Sequence, residues 1–107
     1  MNRQMIVQAI GERRVLTLVY AGGAARTVQP HAILQKADGT ELLEAFQVAG
    51  FSEGGQERGW KHFVLDRIDT AEALGEQFQP RRDFRPVDGE SGRLVATVLA
   101  SGEEPGE

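Results

Sequence analysis

Apolar and polar positions repeat with a helical period only at the start of this chain, and with a strand period through most of the rest. Over residues 3–13, Met5, Ile6, Ala9 and Ile10 recur at helical spacing, with Asn2 as a candidate N-cap and Gly11 near the expected end. The segment 15–20 (Val-Leu-Thr-Leu-Val-Tyr) has β-branched strand character and places Leu16, Leu18 and Tyr20 on one face. Ala21-Gly22-Gly23-Ala24 reads as a turn. A second strand starts near Arg26, bends at Pro30, which cannot donate to a ladder, and resumes over 33–36. Ala37-Asp38-Gly39 predicts a hairpin, because Asp-Gly readily supplies positive φ angles. A third strand spans 41–48, with Leu43 and Ala45 facing one way and Leu42, Phe46 and Val48 the other. After a polar, Gly-rich loop over 50–59, a fourth strand spans 60–68. It places Lys61, Phe63, Leu65 and Arg67 on one face and Trp60, His62, Val64 and Asp66 on the other.

Beyond Ile68 the pattern is less decisive. Residues 70–74 have helical propensity but also alternate, so they read either as a helix or as a fifth, closing strand. Phe78 and Phe84 are placed to pin the segment that follows. The chain therefore divides into a barrel-like unit over 1–85 and an acidic, Gly- and Glu-rich tail over 86–107. Within that tail an added strand is expected at 93–100, and residues 103–107 are expected to be disordered. A helix followed by four or five short antiparallel strands predicts a mainly β fold: a small antiparallel barrel with an N-terminal helix.

Composition narrows the function classes. The 107 residues suit one domain, and no apolar run of ~18 residues is present to span a membrane. The N-terminus lacks the basic-then-apolar pattern of a secretory signal, and the chain has no cysteine; a cytoplasmic location is expected. The net charge of −4 is unevenly placed: residues 1–70 balance, and the acidic excess lies in 71–107. A balanced barrel can still carry a local basic face, and local potential steers anions more than net charge does.

Arg26, Lys61 and Arg67 are the candidate anion-binding cluster, since a guanidinium fork donates paired charge-assisted hydrogen bonds to phosphate. Tyr20, Phe46, Trp60 and Phe63 could supply stacking platforms for single-stranded nucleic acid, against the alternative that Phe46 and Phe63 are core. Arg67 could instead pair with Asp66 or Asp69. His31, at the strand bend, is a candidate polar or phosphate contact, and Gln47 either contacts ligand or faces water. The Ser52-Glu53-Gly54-Gly55 loop is a candidate phosphate cradle or a plain connection. His31, His62 and Asp66 lack the spacing of a structural metal site, so no metal or cofactor is expected. No Gly-x-Ser-x-Gly or carboxylate pair marks a reaction, and a hydrolase built on Ser52 with His31 or His62 is the weakest alternative. We expect a non-enzyme.

The order of these segments resembles the WYL domain, a module of bacterial transcription regulators. The similarity rests on a strand ending in Tyr20, on Arg26 ahead of Pro30, on Phe63, Leu65, Arg67 and Ile68, and on a lone Phe78. It covers about residues 4–80. At the naming motif this chain reads Glu41-Leu42-Leu43, so Leu42 stands where the family has the Tyr that it uses to contact ligand. The resemblance implies an SH3-like, Sm-like barrel and a regulatory or sensing role. Taken with the candidate residues above, the expected ligand is negatively charged, single-stranded nucleic acid or a nucleotide, bound by Arg26, Lys61, Arg67, His31, Tyr20, Trp60, Phe63 and Gln47. Family members usually follow a helix-turn-helix, for which eleven helical residues are too few, so a freestanding module acting on a separate regulator chain is expected. The alternative is a protein-interaction or homo-oligomerisation module without nucleic-acid binding, with the 94–99 strand offered to a partner or swapped between copies.

Overall fold

A computed structural model of the chain describes residues 2–50, 58–84 and 93–98. It is mainly β with one N-terminal helix: α1 (Asn2–Glu12), β1 (Arg14–Tyr20), β2 (Ala25–Gln35), β3 (Glu41–Gly50), β4 (Gly59–Val64), a 3-10 turn (Leu65–Arg67), β5 (Ile68–Gln77) and β6 (Arg93–Thr97). All ladders are antiparallel, in the order β4-β3-β2-β1-β5, with β6 added to β2. The Ser52–Gly55 loop and residues 99–107 lie outside the described residues.

In α1, Ile6, Ala9 and Ile10 are buried on one stripe and join the core. Asn2 does not cap the helix. Its side-chain amide donates to the Ile68 carbonyl at 2.9 Å and ties the helix start to β5. The helix also runs past Gly11, and it is Arg13 that takes the left-handed conformation after it, with φ 58°. The carbonyl of Arg13 then accepts the Phe78 N–H at 2.9 Å, bringing the end of β5 back to the helix.

β2 is the organising strand. β1 pairs with it as far as Val28, and β6 pairs with the same strand from Ala32 to Gln35. Pro30, with no N–H to offer, sits between the two ladders, where the register also shifts around His31. β6 falls within the expected 93–100 strand and pairs with β2 of its own chain. The Asp38-Gly39 hairpin forms as the sequence predicts: Gly39 has φ 92°, and the Asp38 carboxylate accepts the Thr40 N–H at 2.9 Å.

Two of the sequence expectations are resolved or corrected. Residues 70–74 belong to β5, paired along β1, because Leu16 and Leu18 present a partner edge to Ala73 and Ala71. The fourth strand ends at Val64, not Ile68. Leu65–Arg67 coil into a 3-10 turn that carries the chain from one end of the sheet to the other. The ladder itself stays open between β4 and β5. A side chain spans the gap: the Tyr20 hydroxyl accepts the Val64 N–H at 3.0 Å. The inner face carries Leu16, Leu18, Val28, Ile33, Leu43, Ala45 and Phe63, all buried, and α1 packs across β5, β2 and β1. Each of the valine, leucine, isoleucine and phenylalanine side chains among them contributes on the order of 1.5–3 kcal/mol.

Candidate anion-binding site

Arg26 belongs to this inner face, not to solvent. It pairs with Leu18 across β1, and only 9% of its surface is exposed. Its guanidinium carbon lies 5.3 Å from the Phe63 ring centroid and 5.7 Å from that of Tyr20. The two rings meet edge to face at 5.0 Å. One guanidinium nitrogen donates to the Gln47 side-chain oxygen at 3.4 Å. Gln47 follows Leu43 and Ala45 on the inward side of β3 and is completely buried, so the expectation that it might face water is corrected. Burying a guanidinium is costly unless aromatic faces and hydrogen bonds replace its water. Tyr20, Phe63 and Gln47 do so here and hold the charge in one place.

The backbone is fitted closely around Arg26. Gly50 pairs with it at φ 106°, and a Cβ there would lie 2.6 Å from the Ala25 carbonyl oxygen and 2.7 Å from the Arg26 Cα. Only glycine lets the end of β3 approach this closely. Lys61 lies opposite Ala45, on the same side of the sheet as Phe63 but one residue pair nearer the strand start, and is half-buried. Arg67 is exposed on the 3-10 turn, which breaks the alternation expected to align it with Lys61 and Phe63. Its carbonyl accepts the Ala21 N–H at 2.9 Å.

His31 and Trp60 are elsewhere. Trp60 pairs with Phe46 on the outer side of the β3–β4 ladder, and His31 is fully buried in the irregularity of β2. Their rings meet at 4.9 Å, and Phe78 and Phe84 each stand 5.1 Å from His31. Phe78 and Phe84 thus pin the segment after β5, as the sequence suggests. His31 Nε2 accepts the Arg81 N–H at 3.1 Å, so its proton is on Nδ1, which donates to the Gln29 carbonyl at 2.8 Å. Burial is the main cause that pushes the His31 pKa down; the Gln29 carbonyl opposes it, Arg81 adds to it and Asp83 opposes it. His31 is therefore a buried neutral histidine and not a solvent-facing phosphate contact. His62 is on β4 and exposed, with Nε2 3.7 Å from Glu44 Oε2.

Comparison with family models decides the affiliation. The WYL domain model matches residues 2–73. The chain belongs to the WYL domain family. WYL domains are regulatory and sensing modules, often linked to nucleic-acid binding, rather than catalysts. Comparison with curated proteins and with solved structures gives no match. In this WYL domain no helix among the described residues is long and apolar enough to cross a membrane. Of the eight candidate residues, four form a contact set: Arg26, Tyr20, Phe63 and Gln47. The sequence reading missed Arg58, Arg81 and Asp83, which meet the outer aromatic residues. The available signal was the run Arg81-Arg82-Asp83-Phe84 just after Phe78.

Proposed function

We propose that this WYL domain is a non-enzymatic regulatory module that takes a negatively charged ligand, single-stranded nucleic acid or a nucleotide, at Arg26. The observation that carries the reading is the Arg26 guanidinium, buried between the Tyr20 and Phe63 rings and oriented by Gln47. A desolvated, pre-oriented cation interacts with an anion far more strongly than a solvated one does. Lys61 on the same side of the sheet adds positive potential, and Arg67 enters only if the ligand reaches the 3-10 turn. The output passes to a regulator chain, in a transcriptional setting.

The test is anisotropy of a fluorescent single-stranded oligonucleotide at low and physiological salt, with wild type and Arg26→Met. Methionine keeps apolar packing against the two rings and removes the charge. Expected is saturable binding that weakens with salt, and that Arg26→Met reduces about tenfold or more while thermal stability stays near wild type. Unchanged binding by a folded Arg26→Met protein would refute the site.

A further inference from the structure

The outer face of the β3–β4 ladder holds a second cation cluster, on the side of the sheet away from Arg26. The Arg81 guanidinium carbon lies 3.6 Å from the Phe46 ring centroid, and that of Arg58 lies 5.5 Å from the same ring. Both are fixed by neutral acceptors. Arg81 donates to the Gln29 side-chain oxygen at 3.3 Å, and Arg58 donates to the Val48 carbonyl at 3.4 Å. Neither forms an ion pair with a carboxylate of the described residues. Asp83, two residues beyond Arg81, accepts the Trp60 indole N–H at 2.9 Å; that bond is the first cause holding its carboxyl below the usual range, and the Arg81 charge adds to it. An open cleft of about 460 Å³ runs beside Arg81, lined by Gln79, Pro80, Arg81, Arg82 and Asp83. The larger cleft, about 600 Å³ between α1 and β5, has no such excess of cations: Glu12 and Arg14 pair within it.

Two guanidinium groups share one ring, and the Asp83 carboxylate that the Arg81 charge also reaches is bonded to Trp60 and forms an ion pair with neither. The arrangement becomes favourable when an anion lies between their donors. Each fork uses one donor on a neutral oxygen and has further N–H groups in its plane. A guanidinium already stacked on Phe46 is also a flat surface on which an aromatic base can lie. We propose that Arg58 and Arg81, seated on Phe46, form a second anion site that takes the phosphate of a nucleotide, with its base against the Arg81–Phe46 stack. This site is independent of the one at Arg26, and either can fail alone.

Trp60 is the chain's single tryptophan, and its ring stands 5.5 Å from Phe46, so its fluorescence reports on the site. The experiment titrates the full chain with adenosine monophosphate, inorganic phosphate and adenosine, following that fluorescence. The proteins are wild type, Arg58→Gln/Arg81→Gln, Arg58→Lys/Arg81→Lys and, as a charge control, Lys36→Gln in the exposed β2–β3 hairpin, each checked for fold by circular dichroism. Expected is a saturable change with the nucleotide, weaker binding of phosphate and none of adenosine. The double Gln variant should lose about tenfold or more in affinity, and Lys36→Gln should bind as wild type. The Lys variant keeps the charges without the forks, so intermediate affinity supports the proposal even if the Gln variant misfolds. Equal binding of phosphate and nucleotide would overturn the nucleotide assignment. Wild-type affinity in a folded double variant, or no saturable change with any probe, would overturn the site.

Discussion

Acidification should loosen the segment after β5 through His31. The ring is fully buried, Nδ1–H is committed to Gln29, and Nε2 accepts the Arg81 N–H. A second proton would turn Nε2 into a donor facing another donor. It would also place a positive charge among Trp60, Phe78 and Phe84, near the Arg81 guanidinium. Among the charged groups near it, Asp83 alone favours protonation, and its carboxylate is bonded to Trp60. The folded-state pKa therefore lies below the unfolded value, about 6.5. Below that value the unfolded chain binds more protons than the folded one, so stability falls with falling pH. One group gives at most about 1.4 kcal/mol per pH unit, and the loss levels off once the folded pKa is passed. Losing the Nε2 hydrogen bond alone corresponds to about 0.5–1.5 kcal/mol. Urea unfolding followed by Trp60 fluorescence between pH 7.5 and 5 measures the slope. His31→Phe, which keeps an aromatic body and removes the titration, should flatten it. A flat wild-type profile, or an identical slope in His31→Phe, would refute the reasoning.

Three further outcomes follow from the geometry. Tyr20→Phe removes the acceptor for the Val64 N–H across the open side of the sheet and should cost about 1–2 kcal/mol in denaturant unfolding, with the ring packing on Phe63 retained. Gly50→Ala should cost about 2–4 kcal/mol in the same assay, because the new Cβ meets backbone atoms of Ala25 and Arg26 at a positive φ; a neutral result would contradict the close approach at that strand end. Leu42→Tyr, which restores the residue found at that place in the family, should leave the Arg26-dependent part of oligonucleotide binding unchanged in the anisotropy assay, since Leu42 pairs with Val64 on the outer side of the sheet.

The parts of this fold that sequence makes legible are those set by near neighbours. The helix stripe, the Asp38-Gly39 hairpin and the faces of β1 and β3 depend on residues a few positions apart. Alternation even contains the burial of Gln47, two residues beyond Ala45 on the inward side. It also separates Trp60 from Phe63 by parity, so the two could never have served one pocket. What alternation cannot supply is the 3-10 turn that takes Arg67 out of line, or a contact that closes over fifty positions, such as His31 with Arg81. These depend on where the sheet bends and what then folds back across it. The same two-sidedness gives the altered family motif a physical meaning. Tyr20, Arg26 and Phe63, three of the residues that match the family pattern, line the inner side of the sheet, whereas Leu42 lies on the outer side. A change at Leu42 therefore alters one surface of the domain without touching the buried cation on the other. The two sides can diverge in what they bind while the fold that joins them stays the same.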